Sequence, residues 1–232
     1  VSKQNIERKI INIVIFFTLL FYLVLLTSER MALVYCAFTF LFIIFYAFRI
    51  NKKIVIIFSL FILLTLSLFY VFDFNKFKEN LTHTYEQIFP KGKIVFFSEQ
   101  HQVFAITSIE LFKKKPILGI GPNNYRRECN EINSDLIAKK YNLSETNIQN
   151  CSTHPHNIFF QLLSETGLIG IVYYIFFNIL LFMELLKFFL KKNYNQISFF
   201  FLLPVIYYLN PFFPSGNFFN NWYMCIGVLG LP

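Results

Sequence analysis

Charge is scarce in this 232-residue chain: Asp, Glu, Lys and Arg together make up 15% of it, against roughly 25% in soluble globular domains. Too few charged groups remain to clothe a water-facing surface, which excludes an ordinary soluble domain. Metal-ligand spacing is missing as well. There is no Cys-x-x-Cys and no His-x-x-x-His, the patterns that would support a zinc site. Gly119 and Gly121 form a lone Gly-x-Gly without the rest of a dinucleotide fingerprint, so they read as a turn. No signal-peptide pattern with a cleavage site is visible, and no internal repeat. What is present is apolar: 56% hydrophobic residues, 20% aromatic, 33 Phe and a mean hydropathy of +0.52. The chain reads as an integral membrane protein. Its net charge of +8 could suggest nucleic acid, but the cations sit mainly at the ends of apolar runs and in one polar stretch, as membrane proteins place them. Membrane lipids, and no nucleic acid, are the expected surroundings.

Apolar runs approach the roughly 20 residues that span a bilayer at Ile10–Leu26, Met31–Phe48, Ile54–Phe72, Leu168–Leu190 and Ile197–Phe213. A last run, from Trp222 to Pro232, is too short to cross. That run, and Val1 where an initiator Met is expected, suggest a piece of a longer polytopic chain. The expected division is about three transmembrane helices over 1–72, one large loop over 73–157, and an amphipathic helix followed by C-terminal transmembrane helices over 158–232. The N-terminal "KQNIERK", "RINKK" at Arg49–Lys53 and "KKNYN" at Lys191–Asn195 are basic, whereas "TSER" and "PSGNFFNN" are not. Positive-inside bias then puts Arg30 and the large loop on the far side of the membrane. A loop that long between membrane helices is more often functional than idle.

Within the loop, Val103, Ile106, Ile109, Leu111 and Phe112 give a helical pattern that Pro116 stops. Lys113, Lys114 and Lys115 read as a solvated helix end able to attract anionic groups. Cys129 and Cys151 are the only cysteines of the loop, while Cys36 and Cys225 lie in apolar runs and read as small buried hydrophobes. Outside the cytoplasm the loop pair can oxidise, which would hold Arg126 and Arg127 near the histidines. Zinc bound by the cysteines and histidines is the competing reading, without supporting spacing. His154, Pro155, His156 and Asn157 precede an amphipathic stretch. Pro155 biases His154 toward an extended conformation, and Asn157 is a good N-cap. Ile158, Leu162 and Glu165 can then share one face, and Gly167 and Gly170 permit a break and close backbone approach. A histidine at such a junction is placed to take a proton from a hydroxyl at neutral pH. It can equally be a loop residue capping a helix.

The run from His156 and Asn157, through nine residues, to Gly167-Leu168-Ile169-Gly170 resembles the signature of the bacterial O-antigen ligase and O-antigen polymerase superfamily. "ELFKKKPILGIGPNNY" is similar to the same family's loop helix, proline and Gly-x-Gly turn, and "TSER" at Thr27–Arg30 to its Ser-x-Arg at the start of a membrane helix. The resemblance runs from about residue 10 to the end. It implies an all-α polytopic bundle of the glycosyltransferase C type, with one large, mostly helical periplasmic loop, in the bacterial inner membrane. The implied reaction is metal-independent and inverting, without a cofactor: a glycan moves from an undecaprenyl pyrophosphate carrier to an acceptor hydroxyl. O-antigen ligation to lipid A core in lipopolysaccharide biosynthesis is the leading expectation. O-antigen polymerase and protein O-oligosaccharyltransferase are the alternatives with the same chemistry, and a lipid-linked glycan transporter or an assembly factor the alternatives without it.

By the resemblance, His156 matches the residue that activates the acceptor, and Arg30 the arginine that binds pyrophosphate, a ligand suited to a guanidinium fork. His154, Asn157, Gly167 and Gly170 are supporting residues. Many members carry a further arginine on the loop helix where this chain has Gln100 and His101, with Phe104 as the following aromatic. His101 therefore joins the supporting set, and Arg126 and Arg127 are the candidates for the second pyrophosphate-binding cation.

Overall fold

The computed structural model describes residues 3–27, 30–50, 52–89, 99–133, 137, 139, 149–190 and 196–220. Cys225, the run from Trp222, the loop 191–195, Ser28 and Glu29 lie outside the described residues, as does the side chain of Arg30. Among the described residues all regular structure is helical. The chain divides into two compact units, residues 1–95 and 96–232.

The first unit holds α1 (Lys3–Thr27), α2 (Arg30–Ile50), α3 (Lys52–Phe72) and α4 (Phe74–Ile88). The first three are apolar almost all round, the pattern of helices that meet either protein or lipid on every side. Where they meet, Phe21 and Leu25 of α1, Phe40 of α2 and Phe58 and Phe69 of α3 form a buried cluster. Phe40 lies edge-to-face on Phe21 at 5.0 Å and on Phe58 at 5.3 Å, a geometry contributing about 0.5–1.5 kcal/mol per pair beyond area burial. The buried hydroxyl of Thr65 is returned to its own helix at Phe61 O, 2.8 Å away, so the packing leaves no polar group stranded there. On the outside, Leu19, Leu41, Leu60 and Leu63 stand well exposed. Bare leucines on a helix surface suit hydrocarbon and not water.

The second unit is built around α5 (Glu99–Lys114) and α7 (Ile158–Leu190), which pack together, with the single turn α6 (Tyr125–Glu128) and a 3-10 turn at Cys129–Glu131 between them and α8 (Gln196–Tyr208) after them. Val103, Phe104, Thr107, Ser108 and Leu111 form the buried side of α5. α7 is two segments joined at Gly167, whose φ of 64° and ψ of −156° are non-helical. Ile158, Gln161, Leu162, Ser164 and Glu165 of its first segment are buried, whereas Leu168, Val172, Tyr173, Phe176 and Phe177 beyond the kink are exposed. At 1.5 Å per residue the segment after the kink is about 34 Å long, enough for a hydrocarbon core of about 30 Å.

α3, through Val55–Phe72, and α7 are long and apolar enough to cross a membrane. The apolar run Ile197–Phe213 is not one helix. α8 ends at Tyr208 after 13 residues, about 20 Å, and Leu209–Asn220 is irregular. Pro211 and Pro214 cannot supply helical N–H groups, and the carbonyls of this stretch find partners elsewhere. Tyr174 Oη donates to Leu209 O at 2.8 Å, Tyr208 Oη to Phe218 O at 2.9 Å, and Asn157 Nδ2 to Pro211 O at 2.9 Å. The end of the run thus folds over the start of α7.

Candidate active site

The polar stretch before α7 brings His154 and His156 together, with His101 of α5 beside them. Asn157 caps the helix: its Oδ1 accepts from Phe160 N–H at 3.2 Å, as an N-cap does for the third residue of the helix. Immediately before it, His156 has φ 54°, a left-handed conformation that is uncommon outside glycine although histidine, asparagine and aspartate enter it most readily. The turn is held by the two backbone groups of one residue in the returning segment. Ser215 N–H donates to His156 O at 2.9 Å, and Ser215 O lies 3.1 Å from His154 Nε2. A carbonyl only accepts, so His154 Nε2 carries the hydrogen, and Nδ1, 2.9 Å from Thr153 Oγ1, accepts from that hydroxyl. His154 is therefore fixed in one tautomer, with both nitrogens engaged.

His156 Nε2 lies 3.0 Å from Ser152 Oγ. Its ring is 4.3 Å from that of His154, 6.0 Å from that of His101 on α5, and stacked on Phe104 at 5.4 Å. Burial lowers the pKa of all three histidines below the ordinary value. His156 is pushed furthest, to about 4, by burial first and by the neighbouring imidazoles second. At neutral pH it is uncharged, with one ring nitrogen unprotonated. Beside it opens a small cleft of about 90 Å³, walled by His101, Gln102 and Ala105 of α5 and by Pro155, His156, Asn157 and Phe160. The combination of a neutral imidazole and an adjoining cleft can take a proton from a hydroxyl brought into it. Among the described residues no group of three or more His, Cys, Asp or Glu is arranged to hold a metal ion.

Two arrangements hold this site in place. The first interlocks the turn Pro116–Gly121 with the kink of α7. Breaking the helix at Gly167 frees backbone groups on both sides, and the turn satisfies them: Ile120 N–H and Gly121 N–H donate to Ser164 O and Glu165 O at 2.9 Å each, and Leu168 N–H donates to Pro116 O at 2.9 Å. The backbones approach so closely that a Cβ on Gly119 would lie 2.4 Å from Glu165 C, and one on Gly167 2.6 Å from Gly119 N. A Cβ on Gly170 would instead run into the Thr166 side chain. The second is a buried polar chain. Glu165 Oε1 accepts from Tyr125 N–H at 2.8 Å and Oε2 from Gln161 Nε2 at 3.0 Å. Gln161 Nε2 also donates to Asn217 Oδ1 at 2.7 Å, Gln161 Oε1 accepts from Phe218 N–H at 2.9 Å, and Asn217 Nδ2 donates to Asn123 Oδ1 at 3.1 Å. Gln161 and Glu165 are fully buried, and every donor among these side-chain contacts meets an acceptor, as a buried network requires.

Cys129 and Cys151 are joined, with Cα atoms 5.2 Å apart. The residue that the disulfide brings to His156 is Ser152, next in the chain to Cys151. Arg126 and Arg127 are exposed on α6, and neither is among the groups described around His156. α6 is turned by Tyr125, whose ring is buried and whose hydroxyl donates to Asn150 O at 3.0 Å, which leaves the next two side chains facing out. Lys113 and Lys114 pair with Glu110 and Glu131 at 2.8 and 2.6 Å, as at a solvated helix end. Arg30 opens α2 in the first unit. Gln100 pairs with the backbone of Gln149 in both directions, tying the start of α5 to the segment leading to Cys151. Sequence reasoning passed over Ser152, Ser215, Asn217 and Gln161. Only Gln161 left a signal, as the middle of a polar series Asn157, Gln161, Glu165 at helical spacing.

A family model described as O-antigen ligase matches residues 15–175. The chain belongs to the O-antigen ligase family. That match takes in α1 from Ile15, the turn Pro116–Gly121, the His156 site and both glycines of the α7 kink, and stops before the returning segment 209–220. No curated protein and no solved structure matches. Membership, together with the two long apolar helices, makes this a membrane protein and an enzyme of the O-antigen ligase or polymerase type, acting in glycosyl transfer on lipid-linked glycans.

Proposed function

We propose that this member of the O-antigen ligase family joins a glycan carried on undecaprenyl pyrophosphate to a hydroxyl of lipid A core, on the periplasmic side of the inner membrane. The observation that carries the reading is His156: an uncharged imidazole in a left-handed turn, anchored by Ser152 and the Ser215 peptide at the mouth of a cleft. The acceptor hydroxyl attacks the anomeric carbon from the face opposite the carrier, a C–O bond forms as the bond to pyrophosphate breaks, and the hydroxyl proton passes to the imidazole. Undecaprenyl pyrophosphate leaves with the bonding electrons. Because that leaving group carries its own negative charge, the enzyme's main contributions are a base, correct orientation and cationic neutralisation. Arg30 is the proposed ligand of the pyrophosphate, with Arg126 or Arg127 as the second cation. His154 keeps its neighbour in place and adds no charge of its own.

The low basicity of His156 suits this role once the donor is bound. A pyrophosphate charge about 5 Å away, at an effective dielectric of about 20, favours the imidazolium by about 3 kcal/mol, or roughly two pKa units. The test supplies membranes containing the protein with a labelled undecaprenyl-pyrophosphate glycan and, in turn, lipid A core, lipid-linked polysaccharide and a protein acceptor, with His156→Ala inserted at equal level as control. Label on lipid A core, lost in the variant, supports ligation. Longer lipid-linked chains make the protein a polymerase, labelled protein makes it an oligosaccharyltransferase, and transfer unchanged in the variant removes His156 from the chemistry.

A further inference from the structure

α4 starts where α3 ends, and its pattern changes completely. Phe74, Phe77, Leu81 and Tyr85 follow one another at spacings of three, four and four residues, which stacks them on a single face. Asn75, Lys76, Glu79, His83 and Glu86 occupy the remainder. Phe77 is turned toward Phe69 and the buried cluster of the first unit. Among the described residues the rest of the face is largely bare: Phe74, Leu81 and Tyr85 are 47%, 56% and 64% exposed.

The junction fixes where this face can lie. Asp73 N–H donates to Phe69 O and Phe77 N–H to Asp73 O, both at 2.9 Å, so hydrogen bonding runs through the bend without a flexible linker. Tyr22 Oη of α1 donates to Asp73 Oδ2 at 3.0 Å and ties the bend to the bundle. Tyr70 packs edge-to-face on Phe74 at 5.2 Å and on Phe77 at 5.5 Å, an aromatic group of the kind that gathers at the level of lipid headgroups. α4 therefore begins at the depth where α3 leaves the hydrocarbon. Its 15 residues reach about 22 Å, too short to cross, and its polar side bars deeper immersion.

We propose that α4 lies in the plane of the membrane surface, with Phe74, Leu81 and Tyr85 set into the acyl boundary of the lipid and the His83 side in water. The occupant of the exposed face is phospholipid, continuous with the lipid that meets the bare side of α3. The charges of α4 indicate how it is held. Lys76 and Lys78 are balanced by Glu79 and Glu86, and His83 sits 3.6 Å from Glu79 and 3.8 Å from Glu86. Attachment is thus apolar and independent of anionic lipid.

The test uses the whole chain in vesicles of phosphatidylethanolamine and phosphatidylglycerol, some with brominated acyl chains that quench tryptophan on contact. Trp222 is the sole tryptophan, so a Trp222→Phe background gives a silent protein into which Leu81→Trp, Tyr85→Trp or His83→Trp is placed. The expected result is blue-shifted emission with severalfold stronger quenching at 81 and at 85 than at 83, unchanged by 1 M salt or by replacing phosphatidylglycerol with phosphatidylcholine. Tyr85→Trp exchanges one exposed aromatic for another and covers a folding failure of Leu81→Trp. Blue-shifted emission at 81 and 85 without quenching means that another protein surface covers the face, and overturns the proposal. So does water-like emission at both sites, or equal quenching on both sides of the helix.

Discussion

Gly167→Ala probes the contact that positions the candidate site. At φ 64° and ψ −156°, Gly167 occupies a region essentially reserved for glycine, where an alanine costs about 1–3 kcal/mol in backbone strain alone. The new Cβ would also lie 2.6 Å from Gly119 N and from Ile117 O. Both are backbone atoms of a turn already bound to α7, so relief requires the turn to move, at the expense of the Leu168–Pro116 and Ile120–Ser164 bonds, each contributing about 0.5–1.5 kcal/mol. The sum is about 3 kcal/mol or more, which for a chain of this size lowers the melting temperature by about 6–12 °C. Thermal unfolding in detergent, followed by circular dichroism, measures it. Gly119→Ala strikes the same contact from the other side, so the double variant should lose far less than the two single losses added together. A melting temperature within about 2 °C of wild type for Gly167→Ala, or simple additivity in the double variant, would refute the interlock.

Other perturbations reach the site by separate routes. Cys129→Ser opens a disulfide between residues 22 apart, which by loop closure costs roughly 3 kcal/mol; transfer activity should fall through Ser152 and recover on restoring the bridge, and full activity under reducing conditions would sever that link. Ser152→Ala removes the partner of His156 Nε2 and should lower kcat with little change in KM, whereas Ser152→Thr retains the hydroxyl and most of the rate. Glu165→Gln keeps shape but turns one acceptor at Tyr125 N–H or Gln161 into a donor, and should reduce thermal stability while leaving insertion intact. The folded pKa values of His101, His154 and His156 lie below the unfolded one, so the unfolded chain binds more protons in acid. Their contribution is present above about pH 6.5 and is lost as pH falls toward the His156 value of about 4. Unfolding across that window should show stability declining steadily with acidification, and a flat profile contradicts the buried histidine cluster.

The helices were legible wherever the cause is local. The polar breaks around Glu29 and Asn51 separate α1, α2 and α3, and Pro116 closes the helix that begins at Glu99. The first half of α7, from its cap at Asn157 to Gly167, follows from its own residues, as does the choice of disulfide partners, since the polar stretch contains only two cysteines. Three things were not legible. α4 lies inside what reads as one polar loop, because its charged residues mask a stripe of four apolar ones. α8 stops short of its apolar run because Pro211 and Pro214 end it, while the hydrophobic pattern continues. The site itself closes through pairs far apart in sequence: Ser215 with His154 and His156, Asn217 with Asn123 and Gln161. No periodicity encodes such meetings, and an isolated serine or asparagine carries no mark of its partner.

The Ser215 clasp has a consequence in time. A chain synthesised from its N-terminus displays His154 and His156 some sixty residues before the residue that sets their turn. Until α8 has been made and residues 209–220 have folded back, nothing fixes the left-handed backbone of His156 or the tautomer of His154. Assembly of the site therefore waits for segments made after α3 and α7. A nascent chain that has not yet reached Ser215 carries both histidines without the backbone groups that orient them.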